Sequence, residues 1–132
     1  MPATRLIVWE RRGPLASETS RHLDSLPAEL VPVGDMDDLL AAIQKASFPV
    51  VLLDRATLGE KLPDAIAAAS GADAWIVVVG PASADECRRD RDLGAHLLLA
   101  EIPERLVWGG TLRRLVNASQ ERMKQTTAPT KR

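Results

Sequence analysis

The sequence has little of what usually fixes a small site or a small fold. It holds one cysteine, Cys87, so an internal disulfide and a cysteine-rich metal site are both excluded. Its two histidines, His22 and His96, lie far apart and lack the spacing of metal ligands, so no metal site is expected. It has no tyrosine and one phenylalanine. Neither charge dominates: 17 Lys and Arg stand against 18 Asp and Glu, a net charge of -1, which argues against nucleic acid as a partner. No apolar run approaches the ~20 residues of a membrane span. The run nearest the start, Leu6 to Trp9, is too short for the core of a signal peptide. Neither G-x-G-x-x-G nor a Walker pattern occurs, and Gly13-Pro14 marks a loop rather than a phosphate cradle. A cytoplasmic protein with no membrane contact is expected.

What is present is a series of short apolar runs. "RLIVW" (5–9), "VVLL" (50–53), "WIVVV" (75–79) and "HLLLA" (96–100) are rich in Val, Ile and Leu, and "ELVPV" (29–33) is a weaker fifth. None alternates apolar with polar residues. Such runs suit parallel strands covered on both faces. Between them lie segments with helical spacing. Residues 15–26 put Leu15, Thr19, His22, Leu23 and Leu26 on one face. Residues 36–46 do the same with Met36, Leu39, Leu40 and Ile43, and Asp35 is a fit N-cap. The last helix carries Trp108, Leu112 and Leu115.

Strands alternating with helices predict an α/β three-layer sandwich around a five-stranded parallel sheet. Pro32 cannot donate to a ladder, so strand 29–33 belongs at an edge. The flavodoxin-like order 2-1-3-4-5 places the second strand there. The domain is expected over 1–118. Residues 119–132 then form the end of the last helix and a polar, basic tail.

In an open parallel sheet, chemistry sits beyond the carboxyl ends of the strands. The first strand is followed by Glu10, Arg11 and Arg12, and the third ends in Asp54 and Arg55. Gly80, Pro81, Ala82 and Ser83 follow the fourth, and Glu101, Ile102 and Pro103 follow the fifth.

At these residues the chain resembles the receiver domains of bacterial two-component response regulators. The resemblance covers about residues 5 to 118. It is carried by "VGDMDDLLAAIQKASFPVVLLD" (33–54), by "LGAHLLLAE" (93–101), and by Trp108, Leu112 and Leu115. It implies that Asp54 is the phosphoacceptor position. It also implies a metal-binding acid pair at the end of the first strand, a Thr or Ser after the fourth, and Lys-Pro after the fifth. The corresponding residues are Glu10-Arg11, Gly80 (with Ser83 three residues later) and Glu101-Ile102-Pro103. A guanidinium offers Mg²⁺ no oxygen, and Glu101 reverses the charge of the lysine. Phosphoryl transfer depends on positioning and charge neutralisation. The resemblance therefore points to a degenerate, pseudo-receiver domain, in which Arg11 or Arg55 neutralises Asp54.

The first functional reading is a non-catalytic signalling or scaffolding module that works by protein–protein contact, without cofactor. The second is an active phospho-accepting receiver in a phosphorelay, using Asp54 and Mg²⁺. The third is a flavodoxin-like domain that binds a small ligand at the strand ends. Any output is expected from another chain. The resemblance places a docking or homodimer surface on the fifth strand and the last two helices, where Arg88, Arg89, Arg91, Arg105, Arg113 and Arg114 gather. Arg is enriched at protein interfaces, although a solvated face is the plainer reading of Arg88–Asp92. Trp9 and Trp75 are expected in the core. Trp108 is either core or an interface anchor. Gly109-Gly110 after it mean that the helix starts near Thr111 or that close packing needs the missing side chains.

Overall fold

The computed structural model describes residues 2–127. Five parallel strands form one sheet: β1 (Thr4–Trp9), β2 (Ala28–Val33), β3 (Val50–Asp54), β4 (Trp75–Val79) and β5 (Leu97–Leu99). Their order is 2-1-3-4-5, as the sequence predicts. Pro32 lies in edge strand β2, paired in register with Val8 of β1. Five helices lie between the strands, α1 (Pro14–Ser20), α2 (Met36–Gln44), α3 (Arg55–Leu58), α4 (Leu62–Gly71) and α5 (Ala84–Leu93), and α6 (Arg105–Thr127) follows β5. The one-turn α3 is additional to the simple alternation of strands and helices expected. No helix among the described residues is long and apolar enough to cross a membrane.

The strands carry continuous apolar runs because both faces are covered. Ile7, Val51, Leu53, Ile76 and Val78 pack with Leu39 and Ile43 of α2 and Ile66 of α4. Their sequence neighbours Leu6, Val8, Val50, Leu52 and Val77 pack the opposite way, with Leu15 of α1 and Trp108, Leu112 and Val116 of α6. Burying each such side chain contributes about 1.5–3 kcal/mol. Asp35 caps α2 as expected, its Oδ1 accepting the Asp38 N–H at 2.8 Å.

Three boundaries differ from the sequence expectation. The first helix, predicted over 15–26, ends at Ser20, and a 3-10 turn follows at Leu23–Ser25. The Ser17 and Ser20 hydroxyls bond back to the carbonyls of Pro14 and Ser17, which competes with helix propagation. Pro27 then holds Leu26 extended. The last helix starts at Arg105, not Thr111, and runs through both glycines. A Cβ on Gly109 would lie 2.7 Å from Cε1 of His22, so close packing of α6 on the end of α1 requires the glycine.

The third difference is the boundary at 118, which falls inside a packed helix. Ser119 is fully buried, and its hydroxyl donates to the Phe48 carbonyl at 2.7 Å while accepting from Thr4 Oγ1 at 3.0 Å. Met123 is also buried, so the inward row is Trp108, Leu112, Val116, Ser119 and Met123. Leu115, expected on that row, is half-buried. The end of the basic tail, residues 128–132, lies outside the described residues.

Candidate functional site

Asp54 ends β3 and begins α3. As the cap of that turn, its Oδ2 accepts the Thr57 N–H at 3.1 Å and the Thr57 hydroxyl at 2.5 Å. The Thr57 oxygen in turn accepts the backbone N–H of Arg11 at 3.1 Å. Thr57 was not singled out from the sequence; its place three residues after an N-cap aspartate is the signal that could have found it. The expected neutralisation of Asp54 by Arg11 or Arg55 does not occur. Arg11 reaches the network only through its main chain, and its side chain is exposed. Arg55 turns away to α5. A short hydroxyl and an amide are sufficient partners for a half-buried carboxylate.

Glu10 ends β1 and also serves a helix. Its Oε2 accepts the Leu15 N–H at 2.8 Å and its Oε1 the Ala16 N–H at 3.0 Å. These are free amides of the first turn of α1, whose N1 residue is Pro14 and has none to offer. Gly13 makes the approach possible. It sits at φ +146, and a Cβ there would come within 2.8 Å of Glu10 Oε2.

Gly80 follows β4 at φ +139, and its added Cβ would lie 2.8 Å from Cβ of Arg55. A Thr or Ser here would therefore meet both a strained backbone and a neighbouring side chain. Arg55 is held by Asp90 of α5 at 2.7 Å, and Asp90 is fully buried. Asp90 accepts from Arg89 as well, at 3.1 Å. The sequence run Arg88–Asp92 reads as a solvated mixed-charge face; the structure buries its central carboxylate. Ser83 does not fold back toward Asp54. It caps α5 in a reciprocal pair, Ser83 Oγ accepting the Glu86 N–H and Glu86 Oε1 the Ser83 N–H. That backbone N–H, followed by the Ser83 side chain, holds the Glu86 carboxyl below the usual glutamate range.

Asp54, Gly80, Glu10 and Glu101 line one cleft of roughly 730 Å³ at the carboxyl ends of β3, β4 and β5, with α1 as a wall. Ser83 and Arg11 do not line it. Five carboxylates line the cleft (Glu10, Glu18, Asp54, Glu101 and Glu104) against the single guanidinium of Arg105. Arg105 approaches Glu18 at 4.0 Å. The residues do not fit a divalent cation. Glu10 has both oxygens on helix amides, Arg11 is a cation, and no group of three acidic, His or Cys side chains among the described residues could hold a metal ion.

The arginines of the expected docking surface divide between two helices. Arg88 and Arg91 are exposed on α5, as are Arg105, Arg113 and Arg114 on α6. Arg88 approaches Asp85 at 3.5 Å, and Arg89 is drawn to Asp90. Trp108 is not an interface anchor. It is fully buried, and its Nε1–H donates to Thr19 Oγ1 at 3.1 Å. The exposed apolar residues of α6 are instead Leu106, 84% exposed, and Val107, 50% exposed. Sequence reasoning missed both, although they precede the inward row by one and two positions.

No protein-family model matches the chain, and no curated protein matches it. Solved structures do. The signal receiver domain of a DNA-binding response regulator from Colwellia psychrerythraea is 19% identical, with a TM-score of 0.69 over 86% of this chain and 98% of that one. A response regulator from Hahella chejuensis is 18% identical, with a TM-score of 0.67 over 98% and 100%. The receiver domain of a sensor histidine kinase from Pseudomonas aeruginosa, solved with magnesium in its active-site cleft, is 15% identical, with a TM-score of 0.67 over 87% and 98%. The chain thus has the fold of the response-regulator receiver domains.

Proposed function

We propose that this protein is a receiver-like signalling or scaffolding module that works through contacts with another protein or a second copy, and that Mg²⁺-dependent phosphorylation of Asp54 does not switch it. One observation carries the reading: the side chains that would assemble a metal and phosphoryl site are committed elsewhere. Glu10 holds the amides of Leu15 and Ala16, and Asp54 holds Thr57. The rest of the shell adds support. Position 80 has no hydroxyl and no room for one. Glu101 brings negative charge to a cleft where a phosphoryl group would need positive charge. The reading makes the module non-enzymatic. The exposed arginines of α5 and α6, on either side of edge strand β5, are its contact surface.

The test is incubation with Mg²⁺ and acetyl phosphate, followed by intact mass measurement, with Asp54→Asn as control. No added phosphoryl group is expected in the folded protein. A gain confined to the unmutated chain would overturn the reading and make Asp54 a working acceptor.

A further inference from the structure

The strand-end cleft combines an excess of negative charge with apolar surface. Its wall is apolar, formed by Leu15, Ile102 and Pro103 among others. Two of its carboxylates are not used by the fold, and a third is used through one oxygen alone. Glu101 and Glu104 make no ion pair or side-chain hydrogen bond among the described residues, and only Oδ2 of Asp54 is engaged. The other two have partners: Glu10 on α1, and Glu18 with Arg21 and Arg105.

Two further facts narrow the occupant. No three carboxylates of the cleft converge on a point that could hold a metal ion. The negative charge is spread along the cleft, which suits a ligand carrying several spaced cations. The apolar surface also does not end at the cleft. Leu106 and Val107, the residues directly after the lining residue Arg105, are the most exposed large apolar side chains on α6. A metabolite would be largely enclosed by its pocket. A cleft that opens beside an exposed apolar helical turn fits something longer. An arginine side chain combines a planar two-toothed donor with an apolar stem, so it satisfies carboxylates and covers Ile102 and Pro103 at once.

We infer that the cleft formed by Asp54, Glu101 and Glu104, together with Leu106 and Val107, is a docking site for a basic amphipathic segment of a partner protein, whose arginines enter the cleft while its apolar side covers the first turn of α6. This surface is distinct from the arginine face of α5 and α6, and of opposite sign. It rests on the proposed function only in requiring that the cleft is free of metal.

The experiment is an NMR titration of the isotope-labelled chain in magnesium-free buffer. The probe is a capped twelve-residue amphipathic peptide of leucine, alanine and arginine. Its comparators are the same peptide with glutamate for arginine, and acetyl-arginine amide. The arginine peptide is expected to move the amide signals of Asp54 and of residues 101–107, and the glutamate peptide to move none. Glu101→Lys with Glu104→Lys, both exposed and so compatible with folding, should weaken binding at least tenfold. Glu121→Lys, on the last turns of α6, should leave it within twofold. Absence of shifts, equal binding by the double variant, or equal affinity for acetyl-arginine amide would each overturn the inference, the last in favour of a small organic cation. Phosphorylation of Asp54 in the mass assay would overturn the proposed function and leave this titration to be decided by its own result.

Discussion

Arg55, the first residue of α3, grips Asp90 of α5 at 2.7 Å, and neither side chain is open to solvent beyond 11%. The pair joins the end of β3 to a helix thirty-five residues away. It also fills the space beside Gly80 that a larger residue at that position would need.

Removing one member should be severe. Asp90→Ala leaves a guanidinium buried without its counter-charge and should destabilise the fold by about 3–5 kcal/mol, measured by urea denaturation. The double variant Arg55→Met with Asp90→Leu should recover most of that loss. Nε and Nη1 of Arg55 are buried without protein partners, so an apolar pair gives up little that was satisfied. If the double variant is as unstable as the single one, the buried charge is not the cause.

Gly80→Thr supplies the hydroxyl that the resemblance to receivers implies there, yet it should weaken this protein by about 2 kcal/mol. The backbone at φ +139 disfavours a side chain, and Cβ meets Arg55 at 2.8 Å. A thermal melt will check it. An unchanged melting temperature would mean that the loop yields without strain.

Glu10→Ala should cost about 1–2 kcal/mol by exposing two amides at the start of α1, an effect readable in chemical denaturation. Glu10→Gln should lose less, because its amide oxygen still accepts one of the two. The distinction separates capping from a role in binding metal, for which both variants would be silent in stability.

Acid should loosen the start of α5. The Glu86 carboxyl is held below its ordinary value of 4.5 by the Ser83 N–H and side chain. A lowered folded-state pKa means that the charged form favours the fold. The contribution is present above the unfolded value and is lost as pH falls through the folded one. A carbon-detected NMR titration should place the Glu86 midpoint below 4.5, and Ser83→Ala should move it upward.

Trp108→Phe should destabilise by about 2 kcal/mol, through loss of ring volume and of the bond to Thr19. Denaturation of this variant also discriminates a core tryptophan from an interface anchor, for which the isolated chain would be almost unaffected.

The sheet was legible in the sequence because its signals are local. Four continuous apolar runs and one proline placed five strands and the edge, and Asp35 marked a helix start by its own chemistry. The candidate site was legible only as positions. Asp54, Glu10, Gly80 and Glu101 do meet at one cleft, because every parallel strand delivers its last residue to the same side. What those residues do there depends on partners that no short window contains. Glu10 is taken by amides created when the chain turns at Gly13. Asp90, embedded in a run of charges, is buried with Arg55, which arrives from the start of α3. The glycines of α6 look like a helix break until His22 is brought beneath them.

The triangle of Gly80, Arg55 and Asp90 ties the cleft to the stability of the fold. A side chain at position 80 collides with Arg55, the loss of Arg55 leaves the buried Asp90 with Arg89 alone, and freeing Glu10 for a metal uncaps α1. Changes at positions 80 and 10 toward metal-dependent phosphoryl transfer thus lower stability, whereas the exposed Glu101 can change without that cost. In a fold with only about 5–15 kcal/mol to lose, such losses are a large share of the total. The contacts that fill this end of the sheet are therefore also ones that hold α1 and α5 in place, so the cleft and the stability of the fold cannot be altered independently at these positions.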